Sequence, residues 1–120
     1  MPSIAQEDII CYKMFEVNPI WSQLLMTPYR LKVVRSNEFP FTFVASSNKC
    51  VTPIFVPWTK TIHYEIGPGF IHAYTSKILL NNLSSHFCAV LCKIHKGTKY
   101  YVSMDGEEIC ASEMVLIKIL

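Results

Sequence analysis

His72 is the first candidate for a functional side chain in this sequence of 120 residues. It lies in the apolar segment 70–74, directly after the turn-forming run Gly67-Pro68-Gly69. A glycine beside a strand lets a ligand approach the backbone, and an imidazole ring supplies both a hydrogen-bond donor and an acceptor. The pattern predicts a ligand-binding histidine, with a hydrogen-bonded core histidine as the alternative.

Two further pairs of side chains have types that could serve a site. His63 and Glu65 alternate along a predicted strand and therefore share one face, which suits an acid–base pair or an ordinary solvated strand face. Trp21 and Trp58 could form an aromatic wall for a base or a nicotinamide ring, or could pack in the core or against a partner. The sequence has no glycine-rich phosphate loop that ends in Lys-Ser/Thr.

The five cysteines are odd in number and lie among apolar neighbours, which predicts reduced core thiols. They are Cys11, Cys50, Cys88, Cys92 and Cys110. Cys88 and Cys92 are four residues apart and are flanked by His86 and His95, a grouping that raises zinc as an alternative. Because this pair lies inside an apolar run typical of a buried strand, the core interpretation is favoured and no metal is expected.

Most of the elements that must position these residues are short strands. Period-two and continuous apolar segments, separated by Pro, Gly, Asn and Asp, predict many strands rather than a helical bundle. The expected strands cover residues 8–15, 29–35, 41–45, 51–56, 61–66, 70–74, 87–94, 98–102 and 114–119. Pro53 and Pro57 lack an amide donor, so the strand around them is expected at an edge.

Two segments have helical spacing. Asn18-Pro19 suits a helix start, and the apolar residues that follow predict a short helix that ends near Met26. Thr75 or Ser76 is expected to cap the main helix, which would carry the leucines up to Leu83. The predicted fold class is therefore α+β: a mainly antiparallel, twisted sheet with one or two short helices, in a single domain over residues 1–120.

Composition excludes several classes of protein. Hydrophobic residues make up 51% and charged residues 17%, which excludes a disordered tail. The 11 Lys and Arg residues are spread singly, so a DNA or RNA groove is not expected. No uncharged apolar stretch reaches the ~18 residues of a membrane span, and no polybasic membrane patch is present. The first residues lack a secretory signal pattern, which makes a cytoplasmic location the default expectation.

The C-terminal half contains, in this order, the segments Gly69-Phe70-Ile71-His72-Ala73-Tyr74, Lys96-Gly97-Thr98-Lys99-Tyr100-Tyr101 and Gly106-Glu107. In these segments it resembles small uncharacterised phage and gut-bacterial proteins. Those proteins have a Gly-Phe-His-Ala-aromatic segment, a strand, a Lys-Gly-Thr-Lys-Tyr-Tyr segment, a Gly-Glu pair and a final aliphatic strand. The corresponding elements here are residues 69–74, 87–94, 96–101, 106–107 and 114–119. The resemblance implies an accessory protein of a phage or mobile element, with a role in counter-defence.

More distantly, the same order resembles a reduced ADP-ribosyltransferase fold. In that superfamily a glycine-led strand precedes a helix, and a catalytic Glu opens a later strand; residues 67–73 correspond to the first element, and Glu107 or Glu108 to the second. Tyr12-Lys13 falls where the superfamily places Tyr-Arg or His to hold a nicotinamide dinucleotide. Since Lys13 cannot make the planar bidentate contact of Arg, the resemblance implies a weakened dinucleotide clamp. The ligand-binding residues that follow from this likeness are Tyr12, Lys13, Gly69, Phe70, His72 and Tyr74.

Three hypotheses about function follow. The first is a small non-catalytic protein, without a cofactor, that binds a nucleotide-like ligand or a protein partner. The second is an NAD-dependent ADP-ribosyltransferase with Glu107 or Glu108 as the catalytic carboxylate. The third is an assembly partner that pairs through an exposed strand edge at residues 51–58, with a homo-oligomer as one outcome.

Overall fold

A computed structural model describes residues 3–27, 33–45, 51–56, 60–66 and 70–120, with the strands at 51–56 and 61–66 described by their backbone alone. The expected Gly67-Pro68-Gly69 turn, Trp58 and Cys50 lie outside the described residues. The strands are β1 Ser3–Ile4, β2 Ile9–Val17, β3 Leu24–Met26, β4 Val33–Arg35, β5 Phe41–Val44, β6 Val51–Val56, β7 Thr61–Ile66, β8 Ile71–Tyr74, β9 Phe87–Ile94, β10 Lys99–Val102, β11 Glu108–Ala111 and β12 Glu113–Ile119. Short 3-10 turns cover Ser36–Glu38 and Lys77–Leu80.

Antiparallel pairing joins ten of the described strands into one sheet. Along the sheet the strand order is β1-β10-β11-β8-β2-β9-β12-β5, while β3 pairs with the end of β2 and with β4. The remaining two strands, β6 and β7, form a separate hairpin sheet. The longest pairing joins β2 to β9, from Ile9 opposite Ile94 to Glu16 opposite Phe87. The prediction of a mainly antiparallel sheet is confirmed.

The core lies on one face of this sheet because apolar residues alternate along its central strands. In β2, Cys11 and Phe15 are fully buried while their neighbours are partly exposed, and in β9 Val90, Cys92 and Ile94 show the same period of two. Burying a side chain the size of Phe or Leu stabilises a fold by about 1.5–3 kcal/mol. This face, which supplies the largest buried cluster, is called the inner face below.

The sheet curves around its inner face, as the junction of β11 and β12 shows. Ser112 alone separates these two strands in sequence, although β8, β2 and β9 lie between them in the sheet. The Ser112 N–H donates to the Lys99 carbonyl at 3.2 Å, and the Ser112 carbonyl accepts from the Ala45 N–H at 2.8 Å. Ser112 therefore bonds to β10 near one end of the sheet and to the residue after β5 at the other end, so these two ends of the sheet must approach each other.

The helical part of the α+β prediction is wrong, and the described fold is mainly β. Residues 24–26 form β3 instead of a helix, because Leu25 alternates onto the inner face opposite Val17 and Val34. The turn before it is closed by Asn18, whose Oδ1 accepts the N–H groups of Ile20 and Trp21 at 2.9 Å. Tertiary pairing has overridden the helical spacing of this segment.

The predicted main helix is reduced to the 3-10 turn Lys77–Leu80. Ser76 does cap it as expected, since its Oγ accepts the Ile78 N–H at 3.4 Å. Asn82 then adopts a left-handed conformation with φ of 64°, which ends any helical continuation. The described part of the chain includes no helix long and apolar enough to cross a membrane.

Candidate functional site

Four residues from four adjacent strands form a continuous line across the sheet. Glu108 of β11 lies directly opposite Tyr74 of β8, Tyr74 opposite Tyr12 of β2, and Tyr12 opposite Leu91 of β9. Directly opposed residues of antiparallel strands share a face, and their Cβ atoms are about 4.5–5.5 Å apart. We call these four residues the tyrosine row.

The tyrosine row lies on the outer face, because its residues are adjacent in sequence to residues that are buried on the inner face. Cys11 and Lys13, on either side of Tyr12, are buried, whereas Tyr12 is partly exposed. Ala73 is buried beside a partly exposed Tyr74, and Ile109 is buried beside an exposed Glu108. The row therefore presents two phenol rings and a carboxylate to solvent.

Lys93 adds a cation near the β9 end of the row. It lies two residues from Leu91 on the same face, directly opposite Ile10. Its side chain is 31% exposed, and its Nζ lies 3.8 Å from an Asp8 carboxylate oxygen. That carboxylate accepts the Lys96 N–H at 2.9 Å, a bond that is the main cause of the lowered pKa of Asp8. The Lys93 ammonium is thus only loosely paired, and the outer face has a carboxylate at one end and an ammonium at the other.

A hydrogen-bonded turn fixes the carboxylate end of the row. Ser103 Oγ accepts the Glu108 N–H at 3.0 Å, while the Asp105 carboxylate accepts the Glu107 N–H at 2.9 Å and the Ser103 hydroxyl. These bonds lower the pKa of Asp105, the Ser103 hydroxyl having the largest effect. Thr75 Oγ1 donates to the Gly106 carbonyl at 2.7 Å and so ties the turn to β8. Glu107 is exposed and precedes the strand, so of the two candidate glutamates only Glu108 belongs to the row.

A second line of directly opposed residues places His72 beside a small satellite core. Tyr101 of β10 lies opposite Cys110, and Cys110 lies opposite His72. Cys110 is fully buried because Phe70, Tyr101 and Ala45 pack around it, with the Phe70 and Tyr101 ring centroids 5.6 Å apart. Phe70 is therefore a packing residue at 5% exposure, whereas His72 stays partly exposed at the border of the row.

Lys13 lies on the inner face, away from the tyrosine row. Its Nζ donates to the His72 carbonyl at 2.7 Å and lies 5.6 Å from the centroid of the Phe15 ring. β2 pairs directly with β8 at Tyr12 and with β3 from Glu16 onward. Between Tyr12 and Glu16, β2 and β8 therefore diverge. At that divergence the ammonium links β2 to β8 through its hydrogen bond to the His72 carbonyl. Burial lowers the pKa of Lys13 to about 8.

The thiols around Lys13 are held in their neutral form. Cys11 and Cys92 lie directly opposite each other with no exposed surface, and the Cys11 Sγ is 3.9 Å from the Met114 Sδ. Burial raises the pKa of Cys11 to about 12 and raises that of Cys92 further. The prediction of reduced core thiols is confirmed for Cys11, Cys92 and Cys110, which are buried and form no disulfide, while Cys88, also without a disulfide, is partly buried. Among the described residues, no three His, Cys, Asp or Glu side chains come close enough to hold a metal.

Several predicted site residues do not join this surface. Gly69 and Trp58 lie outside the described residues, and Trp21 is 56% exposed in the turn before β3. His63 and Glu65 belong to β7, of which only the backbone is described; they lie opposite Ile54 and Thr52. Leu91 and Lys93 were not predicted, because only the register of β2 against β9 brings them beside Tyr12.

Together these features define a mainly antiparallel β protein with an aromatic, bipolar outer surface. Comparisons with protein-family models, curated protein sequences and solved structures find no match to this chain.

Proposed function

We propose that this chain is a non-catalytic binding protein that takes a nucleotide-like ligand on the tyrosine row. The observation that carries the proposal is the order of chemistry across the outer face: the Glu108 carboxylate, the Tyr74 and Tyr12 rings, and then the Lys93 ammonium. A nucleotide has the complementary order, with a hydrogen-bonding base edge, a flat aromatic ring and an anionic phosphate.

The dimensions of the row support this ligand class. Three strand spacings separate β11 from β9, which amounts to about 14 Å at ~4.8 Å each. That span accommodates one mononucleotide lying across the strands. Stacking of a base on an aromatic side chain is worth about 1–3 kcal/mol, and a cation near the phosphate adds a charge-assisted contact.

The location of Lys13 supports binding without ADP-ribosyl transfer. The resemblance to ADP-ribosyltransferases implies that the residue after Tyr12 helps to hold a dinucleotide. Here that ammonium is on the inner face, bonded to the His72 carbonyl and 8% exposed. A ligand on the outer face is separated from it by the sheet. Sequestration of a nucleotide would fit the counter-defence role that the likeness to phage proteins implies.

Titration calorimetry with GMP, AMP, NAD and ADP-ribose tests the proposal. The unmodified protein should bind at least one mononucleotide, and Lys93→Gln should weaken that binding roughly tenfold to hundredfold through loss of a charge-assisted bond worth roughly 1.5–3 kcal/mol. Lys99→Gln is the matched control, because Lys99 is exposed on β10, away from the row. Equal weakening by both substitutions, or no binding of any nucleotide, would contradict the proposal.

The enzyme hypothesis uses the same carboxylate differently and has its own test. Glu108 lies next to the tyrosines, so it is the residue that would stabilise the positive charge developing on the ribose. Release of nicotinamide from NAD, measured with the unmodified protein and with Glu108→Gln, separates the two hypotheses. Turnover that disappears in the variant would favour the transferase, and binding without turnover would favour the binding protein.

A further inference from the structure

We infer that the base recognised on the tyrosine row is guanine, held through its Watson–Crick edge by the Glu108 carboxylate. This inference rests on the proposed function, since it specifies the ligand of the same surface. It follows from which hydrogen-bonding groups the protein offers at the end of the row.

A glutamate carboxylate accepts hydrogen bonds and donates none. Guanine is the one common base whose Watson–Crick edge has two adjacent donors, N1–H and the N2 amino group. It can therefore donate one hydrogen bond to each carboxylate oxygen. Adenine and cytosine offer one amino donor beside a ring nitrogen lone pair, and uracil offers one N–H between two carbonyls. In each of those bases a lone pair would face a carboxylate oxygen and repel it.

Glu108 is placed to meet a base stacked on the tyrosines. It is the direct neighbour of Tyr74, its side chain is exposed, and its backbone N–H is fixed by the Ser103 hydroxyl at 3.0 Å. Among the described residues, no hydrogen bond or ion pair engages its carboxylate. A base over Tyr74 and Tyr12 therefore points one edge toward an available acceptor pair.

The phosphate end gives the ligand a direction. With the base edge at Glu108, the ribose and phosphate extend over Tyr12 toward β9, where the Lys93 ammonium is only loosely paired with Asp8 at 3.8 Å. The reverse orientation would place a phosphate beside the Glu108 carboxylate, and the like charges would repel. Charge thus selects the orientation that presents the base edge to the carboxylate.

Calorimetric titration with GMP, IMP, AMP, CMP and UMP tests this inference. GMP should bind roughly tenfold to hundredfold more tightly than AMP, the discrimination expected of one bidentate base contact. IMP lacks the N2 amino group, keeps N1–H and should fall between the two. Glu108→Gln should remove most of the preference for GMP over AMP.

Glu107→Gln is the matched control for Glu108→Gln. Both glutamates are exposed and adjacent in sequence, but Glu107 precedes the strand and is not in the row. Its replacement should leave the preference for GMP unchanged, and thermal unfolding should show both variants folded. Equal affinity for all five nucleotides would overturn the guanine inference while the proposed function stands. Failure of all five to bind would overturn both.

Discussion

Lys13→Met should change how the stability of the protein depends on pH. In the folded protein, burial lowers the pKa of Lys13 from 10.5 to about 8. Between about pH 8 and pH 10.5 the Lys13 amine is therefore protonated in the unfolded chain and neutral in the folded protein. Stability rises with pH wherever the unfolded state binds more protons, so this group makes the protein more stable from about pH 8 upward.

The size of the effect follows from the two pKa values. The difference between a pKa of 10.5 in the unfolded chain and one of about 8 in the folded protein corresponds to roughly 3 kcal/mol between the two limits. Between pH 7 and pH 9 only part of the window is crossed, which gives a gain of roughly 1 kcal/mol. The substitution also removes the hydrogen bond that the Lys13 ammonium donates to the His72 carbonyl, and this loss opposes the gain from no longer burying the ammonium.

Urea unfolding of both proteins at pH 7 and pH 9 measures this effect. The difference in unfolding free energy, unmodified protein minus Lys13→Met, should increase by roughly 1 kcal/mol over this interval. Cys11 and Cys92 also titrate on unfolding, but both proteins contain them, so their shared contribution largely cancels in the difference. A difference that is constant with pH would refute the placement of Lys13 in the core. The variant should also keep its nucleotide affinity, since Lys13 faces away from the tyrosine row.

Other expectations concern the core, the thiols and the turn. Phe15→Ala should lower the unfolding free energy by about 3–5 kcal/mol in urea titrations, because this ring is fully buried; exposed Ile78→Ala should change it by less than about 0.5 kcal/mol. A thiol reagent at pH 8 should leave Cys11 and Cys92 unmodified in the folded protein, as read by mass spectrometry, and modification as fast as in urea would contradict their burial. Asp105→Ala should loosen the turn before Glu108 and weaken nucleotide binding. Because folding lowers the pKa of Asp105, the stabilisation of the turn by this carboxylate is present above about pH 3.8 and is lost as the pH falls further. Unchanged affinity in Asp105→Ala would show that the turn does not position Glu108.

Much of the strand content could be predicted from the sequence, because burial on one face leaves a period of two. The segments that became β2 and β9 show it clearly, and their predicted limits, 8–15 and 87–94, match the structure within two residues. The prediction of a helix over residues 19–26 was wrong, since the spacing of the apolar residues in this segment suits a strand as well as a helix. Pairing with Val17 and Val34 decided the outcome, and such long-range pairing is not visible in local sequence.

The candidate site was predictable in its residue types but not in its assembly. Tyr12, Tyr74 and Glu108 were named from a family resemblance, yet nothing in their spacing shows that they are direct neighbours. The sequence itself argues against the joint assignment of Tyr12 and Lys13 to one ligand-binding surface. Adjacent residues of a strand point to opposite faces, so Tyr12 and Lys13 could not both contact a ligand on one surface of the sheet.

Nuclear magnetic resonance titration with GMP tests the central claim most directly. Backbone amide signals of ¹⁵N-labelled protein report where a ligand lies, independently of any activity. We predict saturable shifts confined to the tyrosine row and its neighbours in β2, β8, β9 and β11, with little change around Trp21. Saturable shifts centred elsewhere, or no shifts at millimolar GMP, AMP and NAD, would contradict the assignment of this outer face as a nucleotide-binding surface.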